Sequence, residues 1–218
     1  MTGIIVWLRN DLRLRDNVAL SNACKDGDKV YPLYILEDDS ERNWPRGSAS
    51  KVWLHHSLKM LDREYRQKGS RLILRHGTAE EQIIACLEET GASAVYWNRR
   101  YEPGNVQHDK ALKKNLENGH CEVKSFKANL LFEPHEIKNR QDKPYKVFTP
   151  FWKACQSLGD PPRPLPVPKH LNPPGRWPSS VNLDEFGLLP DIGWDKGMVK
   201  HWDMGPVAAE RKLKSFLN

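Results

Sequence analysis

The sequence predicts an α/β protein, a doubly wound five-stranded parallel sheet of strand order 3-2-1-4-5. Three observations predict it. Short apolar runs recur five times, over residues 4–8, 29–36, 71–74, 92–97 and 121–126. Between them, apolar residues recur at three and four residues, the period of a helix with one buried face. Charged or polar loops follow the first and fourth runs, as loops do at the carboxyl ends of parallel strands.

Each element has its own signal. Ile4-Ile5-Val6-Trp7-Leu8 is uncharged, β-branched and aromatic, a buried strand. Asp16-Asn17 precedes Val18 to Ala23, and either residue suits the N-cap of the first helix. Lys29 to Leu36 is the second strand, with Pro32 near its start. Glu37 to Gly47, with Trp44-Pro45 inside it, is a loop. Ser48 to Lys68 is a long helix on the stripe Val52, Leu54, Leu58, Leu61 and Tyr65, closed by Gly69. Arg71 to Leu74 is the third strand. Thr78 and Glu81 form a capping box for a helix carrying Ile83, Ile84 and Leu87 and ending at Gly91. Ala92 to Trp97 is the fourth strand, and Asn98 to Gly104 its loop. A polar helix runs from about Asn105 to Glu117, and Cys121 to Phe126 is the fifth strand. Right-handed crossovers give the Rossmann-like order, which sets strands one and four side by side. The Arg9–Asp16 and Asn98–Glu102 loops then share one crevice.

Past Phe126 the pattern changes. Residues 133–145 read as irregular, and a short helix follows with Thr149 as N-cap and Pro150 at its first position. Residues 160–178 hold eight of the sixteen prolines, an extended connector that wraps a surface or spans two domains. Gly205 to Leu217 is helical again.

Composition bounds the function. Of the 218 residues, 39% are hydrophobic and 28% charged, which suits a globular core. No run is long and apolar enough for a membrane span, and no signal peptide precedes the first strand. Four separated cysteines, with no C-x-x-C pair, point to reduced thiols in the cytoplasm or nucleus rather than a secreted protein, and to no metal site. Net charge is +6, and residues 42–75 hold nine Lys or Arg, among them Arg42, against Asp62 and Glu64. That helix face either attracts polyanions such as DNA or is simply solvated. The dinucleotide and P-loop glycine fingerprints and the Gly-x-Ser-x-Gly elbow are missing. His55 and His56 are adjacent, so they point to different faces and read as surface or packing residues. Cys24, Cys86, Tyr96 and Trp97 read as core.

What remains is a crevice lined by Arg9, Asp11, Leu36, Asn98, Arg100 and Glu102, with Ser48, Lys51 and Val52 at one side. It suits a flat, polar-edged heterocycle: Asn98 and Glu102 offer hydrogen bonds, and Leu36 and Val52 cover a ring face. The plainer reading is that Asn98 caps a helix and Glu102 pairs with Arg9 or Arg13. Asp11, Arg13 and Asp16 are the candidates for an ion-pair staple beside Asn17, and Arg9 for facing the ligand.

Several stretches together resemble one family. They are Trp7-Leu8-Arg9-Asn10-Asp11-Leu12-Arg13-Leu14-Arg15-Asp16-Asn17, Gly69-Ser70-Arg71-Leu72, Val95 to Pro103, Tyr145 to Trp152, and Ile192-Gly193-Trp194. In this order they resemble the N-terminal α/β domain of class I DNA photolyases and related cryptochromes. The resemblance implies an antenna domain over 1–134, an interdomain linker over 135–204, and over 205–218 the start of a helical FAD-binding domain. It implies an antenna chromophore in the crevice: a deazaflavin, methenyltetrahydrofolate or FMN. The contacts would be Arg9, Leu36, Lys51, Val52, Asn98, Arg100 and Glu102. Trp97-Asn98 and Glu102-Pro103 resemble the deazaflavin users somewhat more. In such proteins the antenna passes excitation energy to FAD in the helical domain, which binds damaged DNA and splits pyrimidine dimers. Without that domain, this chain is expected to have no repair activity and no catalytic residues of its own. The alternatives are a photosensory cryptochrome domain, or a nucleotide-binding α/β domain with no light function.

Overall fold

The computed structural model describes residues 2–37 and 45–218. Five strands alternate with four helices: β1 (Gly3–Leu8), α1 (Val18–Asp26), β2 (Lys29–Leu36), α2 (Ser48–Gln67), β3 (Ile73–His76), α3 (Ala79–Thr90), β4 (Ala94–Asn98), α4 (Pro103–Asn118) and β5 (Glu122–Phe126). All strand pairs are parallel and the order is β3-β2-β1-β4-β5, as the sequence predicts. β1 is central and buried along its whole length. Its side chains alternate between two cores, the two-residue period of a strand. Ile4, Val6 and Leu8 meet α1 and α2, including Leu20, Leu58, Leu61 and Tyr65. Ile5 and Trp7 meet α3 and α4, through Ile83, Cys86, Leu112 and Leu116.

The caps follow local chemistry. Asn17, not Asp16, is the N-cap of α1, and its side chain accepts the Leu20 N–H. Thr78 caps α3 by accepting the Glu81 N–H, and Gly91 ends that helix at φ 65°. β3 begins two residues later than predicted. Arg71 and Leu72 are held outside the ladder: Arg71 donates to the Pro178 carbonyl and the Leu72 N–H donates to Asp62. α4 starts at Pro103, which needs no N–H partner in a first turn. Part of the predicted 37–47 loop, with Arg42 and Trp44, lies outside the described residues.

Beyond β5 the chain forms α5 (Phe148–Ser157), 3₁₀ turns at Leu183–Phe186 and Gly193–Asp195, α6 (Lys196–His201) and α7 (Pro206–Leu217). The N-cap of α5 is the extended Val147, and Thr149 lies inside the helix rather than capping it. The proline-rich segment is a strap tied to the sheet unit by its backbone. Leu165 and Asp16 bond through backbone and carboxylate, the Val30 N–H reaches the Asn172 carbonyl, and the Val181 N–H reaches that of Leu74. Leu171 of this strap, with Phe186 and Leu188 that follow it, completes the α1–α2 core. Among the described residues, no helix is long and apolar enough to cross a membrane.

Candidate functional site

The site sits where the strand order reverses, at the carboxyl ends of β1 and β4. Trp7 pairs in register with Trp97, so Arg9 and Asn98 emerge close together. Three buried polar side chains knit the two loops to α1. Asp11 accepts the Arg9 N–H at 2.8 Å and Asn98 Nδ2 at 2.6 Å. Asn98 Nδ2 also reaches Asn17 Oδ1 at 2.9 Å, while Asn98 Oδ1 accepts the Ala19 N–H at 3.0 Å. Asn17 Nδ2 adds a 3.1 Å bond to the Arg13 carbonyl. Each group of the Asn98 amide is satisfied, as burial requires.

This arrangement corrects the expected ion-pair staple. Arg13 donates to the backbone carbonyls of Asp16 and Ala128, and Asp16 accepts the Leu165 N–H. The carboxylates of Asp11 and Asp16 and the guanidinium of Arg13 bond backbone or side-chain amide groups, while Arg9 and Arg15 pair with Asp109 and Glu210 outside the loop. Asn98 does cap α1, the plainer of its two readings.

Arg9 has a partner the sequence reading missed. Its Nη1 bonds both oxygens of Asp109 on α4, at 2.6 and 2.7 Å, and its Nη2 donates to the Asn98 carbonyl. The guanidinium lies 4.3 Å from the centre of the Trp7 ring. Arg100 reaches the same carboxylate at 3.3 Å, and His108 stands 3.7 Å from it. Burial, then the neighbouring Arg100 charge, pull Arg9 below its ordinary pKa, with Asp109 opposing them. Burial pushes the Asp109 carboxyl up, but His108, Arg9 and Arg100 together hold it below the usual carboxylate range. A signal for this pair existed. Asp109, Leu112 and Leu116 fall on one face of α4, so a carboxylate shares the buried stripe and calls for a cation.

Glu133 is a second missed carboxylate. It is buried and takes bonds from Arg99 at 2.6 Å and the Tyr101 hydroxyl at 2.9 Å. Burial, reinforced by Glu133, pushes the Tyr101 phenol up to about 12.

Two hollows open on either side of Arg9 and Asn10. The smaller, about 20 Å³, is lined by Trp7, Leu36, Glu37 and Arg100. The larger, about 540 Å³, lies between the β1–α1 loop and α2, and the start of α7 closes one end. Its apolar walls are Leu12, Trp53, Leu54, Pro206 and Ala209, and its rim carries Arg9, Arg13 and Arg46. Gly205 lies on this rim at φ 102°, a conformation side chains rarely adopt.

Of the predicted contacts, the structure brings Arg9, Leu36 and Arg100 together. Val52 is fully buried on α2 and lines neither hollow. Neither Lys51 nor Glu102 lines them; Glu102 starts α4, where it accepts the Tyr101 N–H and Asn105 Nδ2. Asn98 lies beneath the site as a brace. We expect Val52→Ala to cost about 2 kcal/mol, two buried methyl groups plus a small cavity. Chemical denaturation measures this loss, and ligand uptake by the folded fraction is expected to be unchanged.

A protein-family model for DNA photolyase matches residues 4–169. The chain is 41% identical over 216 residues to the deoxyribodipyrimidine photo-lyase of Agrobacterium fabrum, covering 99% of this chain and 44% of that protein. It is 36% identical to Cryptochrome-1 of Arabidopsis thaliana, covering 98% of this chain and 32% of that protein. The fold superposes on the crystal structure of a class III photolyase from Agrobacterium tumefaciens with TM-score 0.93 and 41% identity, over 99% of this chain and 44% of that one. A photolyase from Sulfolobus tokodaii, a structure with two FAD molecules that implicates a novel light-harvesting cofactor, gives TM-score 0.68 at 26% identity over 86% and 41%. The chain thus spans less than half the length of these relatives. It belongs to the DNA photolyase family and carries that family's N-terminal α/β domain.

Proposed function

We propose that this domain holds an antenna chromophore in the crevice beside Arg9 and serves the light-driven repair of pyrimidine dimers by a full-length photolyase. The observation that carries the reading is the 540 Å³ hollow between the β1–α1 loop and α2, walled by Trp53, Leu12 and Leu54 and rimmed by arginines. Its volume is that of an ordinary small-molecule site. A deazaflavin, methenyltetrahydrofolate or FMN pairs a flat ring with an anionic or polar tail. The apolar wall suits the ring and the arginine rim suits the tail. Such a group, when bound, absorbs near-ultraviolet or blue light and passes the energy to FAD. The chain's part is to position and desolvate it. Asn10, Arg9 and Arg13 stay fixed because Asp109 and the Asp11–Asn17–Asn98 brace hold the loop before any ligand arrives.

Within the family we read the chain as class III-like rather than class I-like, on the 41% identity and TM-score 0.93 with a class III structure. The helical FAD domain is the proposed partner, and through it damaged DNA. The boundaries 1–134, 135–204 and 205–218 are proposed with it. The linker residues Leu171, Phe186 and Leu188 fill the α1–α2 core and make the linker part of the same packed unit. The apolar face of α5 supports that partner, since Phe148 is 71% exposed and stacks on Trp152, itself 49% exposed. The cryptochrome reading keeps a specific support in the 36% identity to Cryptochrome-1.

Absorption spectroscopy tests the antenna reading. The purified chain, incubated separately with each of the three chromophores and desalted, is expected to retain one of them as a band beyond its own aromatic absorption. Retention of none would refute the reading.

A further inference from the structure

A second hollow lies on the outer side of α1, away from the crevice, and shares no lining residue with it. The strap bridges the helix like an arch. At one end Leu165 is bonded to Asp16 through both its N–H and its carbonyl. At the other, Asn172 Nδ2 donates to the carbonyls of Cys24 and Gly27, at 2.9 and 2.8 Å, and the Asn172 carbonyl accepts the Val30 N–H. Between these ties the chain stands off α1 and leaves about 400 Å³. Both walls are fixed, so a ligand would order little on entry.

The lining is unusual in its charge. Leu165, Pro166 and Pro168 supply rigid apolar surface, and Cys24 the helix side. Burial pushes the Cys24 thiol up to about 11, so it stays neutral and acts as one more apolar wall. The polar groups are Lys25, Lys169, His170, Ser21 and Asn172, and no carboxylate is among them. Neither lysine has an ion-pair partner among the described residues. The hydroxyl of Ser21, itself 92% buried by its 8% exposure, has no hydrogen-bond partner there either. A cavity rimmed by two lysines without ion-pair partners and free of carboxylates suits an anion more than a cation.

We propose that the arch between α1 and the strap is a binding site for a small planar carboxylate. The apolar body lies against Pro166, Pro168 and Leu165, and the carboxylate meets Lys25 and Lys169. The site is independent of the chromophore reading, because it shares no residue with the crevice.

The test is ¹⁵N-edited NMR of the full chain titrated with 1-naphthoate, with neutral 1-naphthalenemethanol as control. The naphthoate is expected to shift the amides of Ser21, Cys24, Lys169 and His170 saturably, and the alcohol to bind about tenfold more weakly or not at all. The double variant Lys25→Glu/Lys169→Glu changes exposed positions and is expected to fold while losing about tenfold in naphthoate affinity. Cys24→Trp fills the cavity and is expected to abolish the shifts. No saturable shift at these amides would overturn the proposal, as would equal binding of the alcohol or unchanged affinity in the double variant.

Discussion

Replacing Asp109 by alanine is expected to destabilise the domain by about 3–5 kcal/mol, the range for removing one partner of a buried ion pair. The cost follows from what is left behind. Arg9 and Arg100 both reach this one carboxylate, and without it two guanidinium groups face each other over Trp7. The Arg9 side chain is only 6% exposed, so water cannot screen the repulsion. The acid limb of the stability curve gives an independent check. The folded-state pKa of Asp109 is depressed, so its contribution is present in full above the unfolded value, near pH 4, and is lost as pH falls through the folded value. The wild type should therefore lose stability more steeply below about pH 4 than Asp109→Ala does. Urea titrations across that range measure both slopes. Equal slopes, or a loss under about 1 kcal/mol, would show that the pair is incidental.

Replacing Asn98 by aspartate is expected to be as damaging, at about 3–5 kcal/mol. The change is nearly isosteric, so packing is conserved and only chemistry differs. Asn98 Nδ2 is the donor to Asp11 at 2.6 Å and to Asn17 at 2.9 Å. A carboxylate in its place would set two buried negative charges in contact and leave Asn17 Oδ1 without that donor. The new pair would have a raised folded-state pKa, so the variant should regain stability as pH falls towards that value. Asn98→Ala separates the parts, because it loses the bonds without adding charge. It should cost less than Asn98→Asp at pH 7 and show no recovery in acid. Thermal unfolding at pH 5 and pH 7 distinguishes them.

The fold was legible because it is written in local periodicity. Five apolar runs, their helices and the caps at Thr78 and Gly91 are short-range signals, and the parallel order follows from connection rules. The misses share a cause. β3 starts at Ile73 because Arg71 and Leu72 bond to the distant Pro178 and nearby Asp62. Such contacts do not show in a four-residue run. The site was legible to the level of its loops. Arg9, Leu36 and Arg100 converge as the strand order requires. Val52, expected to cover a ring face, is instead fully buried and lines neither hollow. Asp109 and Glu133 were missed because their partners lie far along the chain, 100 residues away for Arg9 and 34 for Arg99.

The brace and the crevice are one construction. Asp11, Asn17 and Asn98 fix where the β1–α1 loop leaves the sheet, and Asp109 fixes where Arg9 points. The loop thereby presents Asn10 and Arg13 to the larger hollow with little freedom to collapse into it. Most of the charged stretch from Arg9 to Asn17 is thus scaffold, and the binding surface is what that scaffold holds open.

The most direct test of the central claim is native mass spectrometry of the chain and its Ser50→Trp variant after exposure to the three candidate chromophores. Ser50 is exposed on α2 and lines the larger hollow, so an indole there fills the cavity without disturbing the core. The account predicts a one-to-one adduct with one chromophore in the wild type and none in the folded variant. An adduct retained undiminished by Ser50→Trp, or none in either protein, would contradict it.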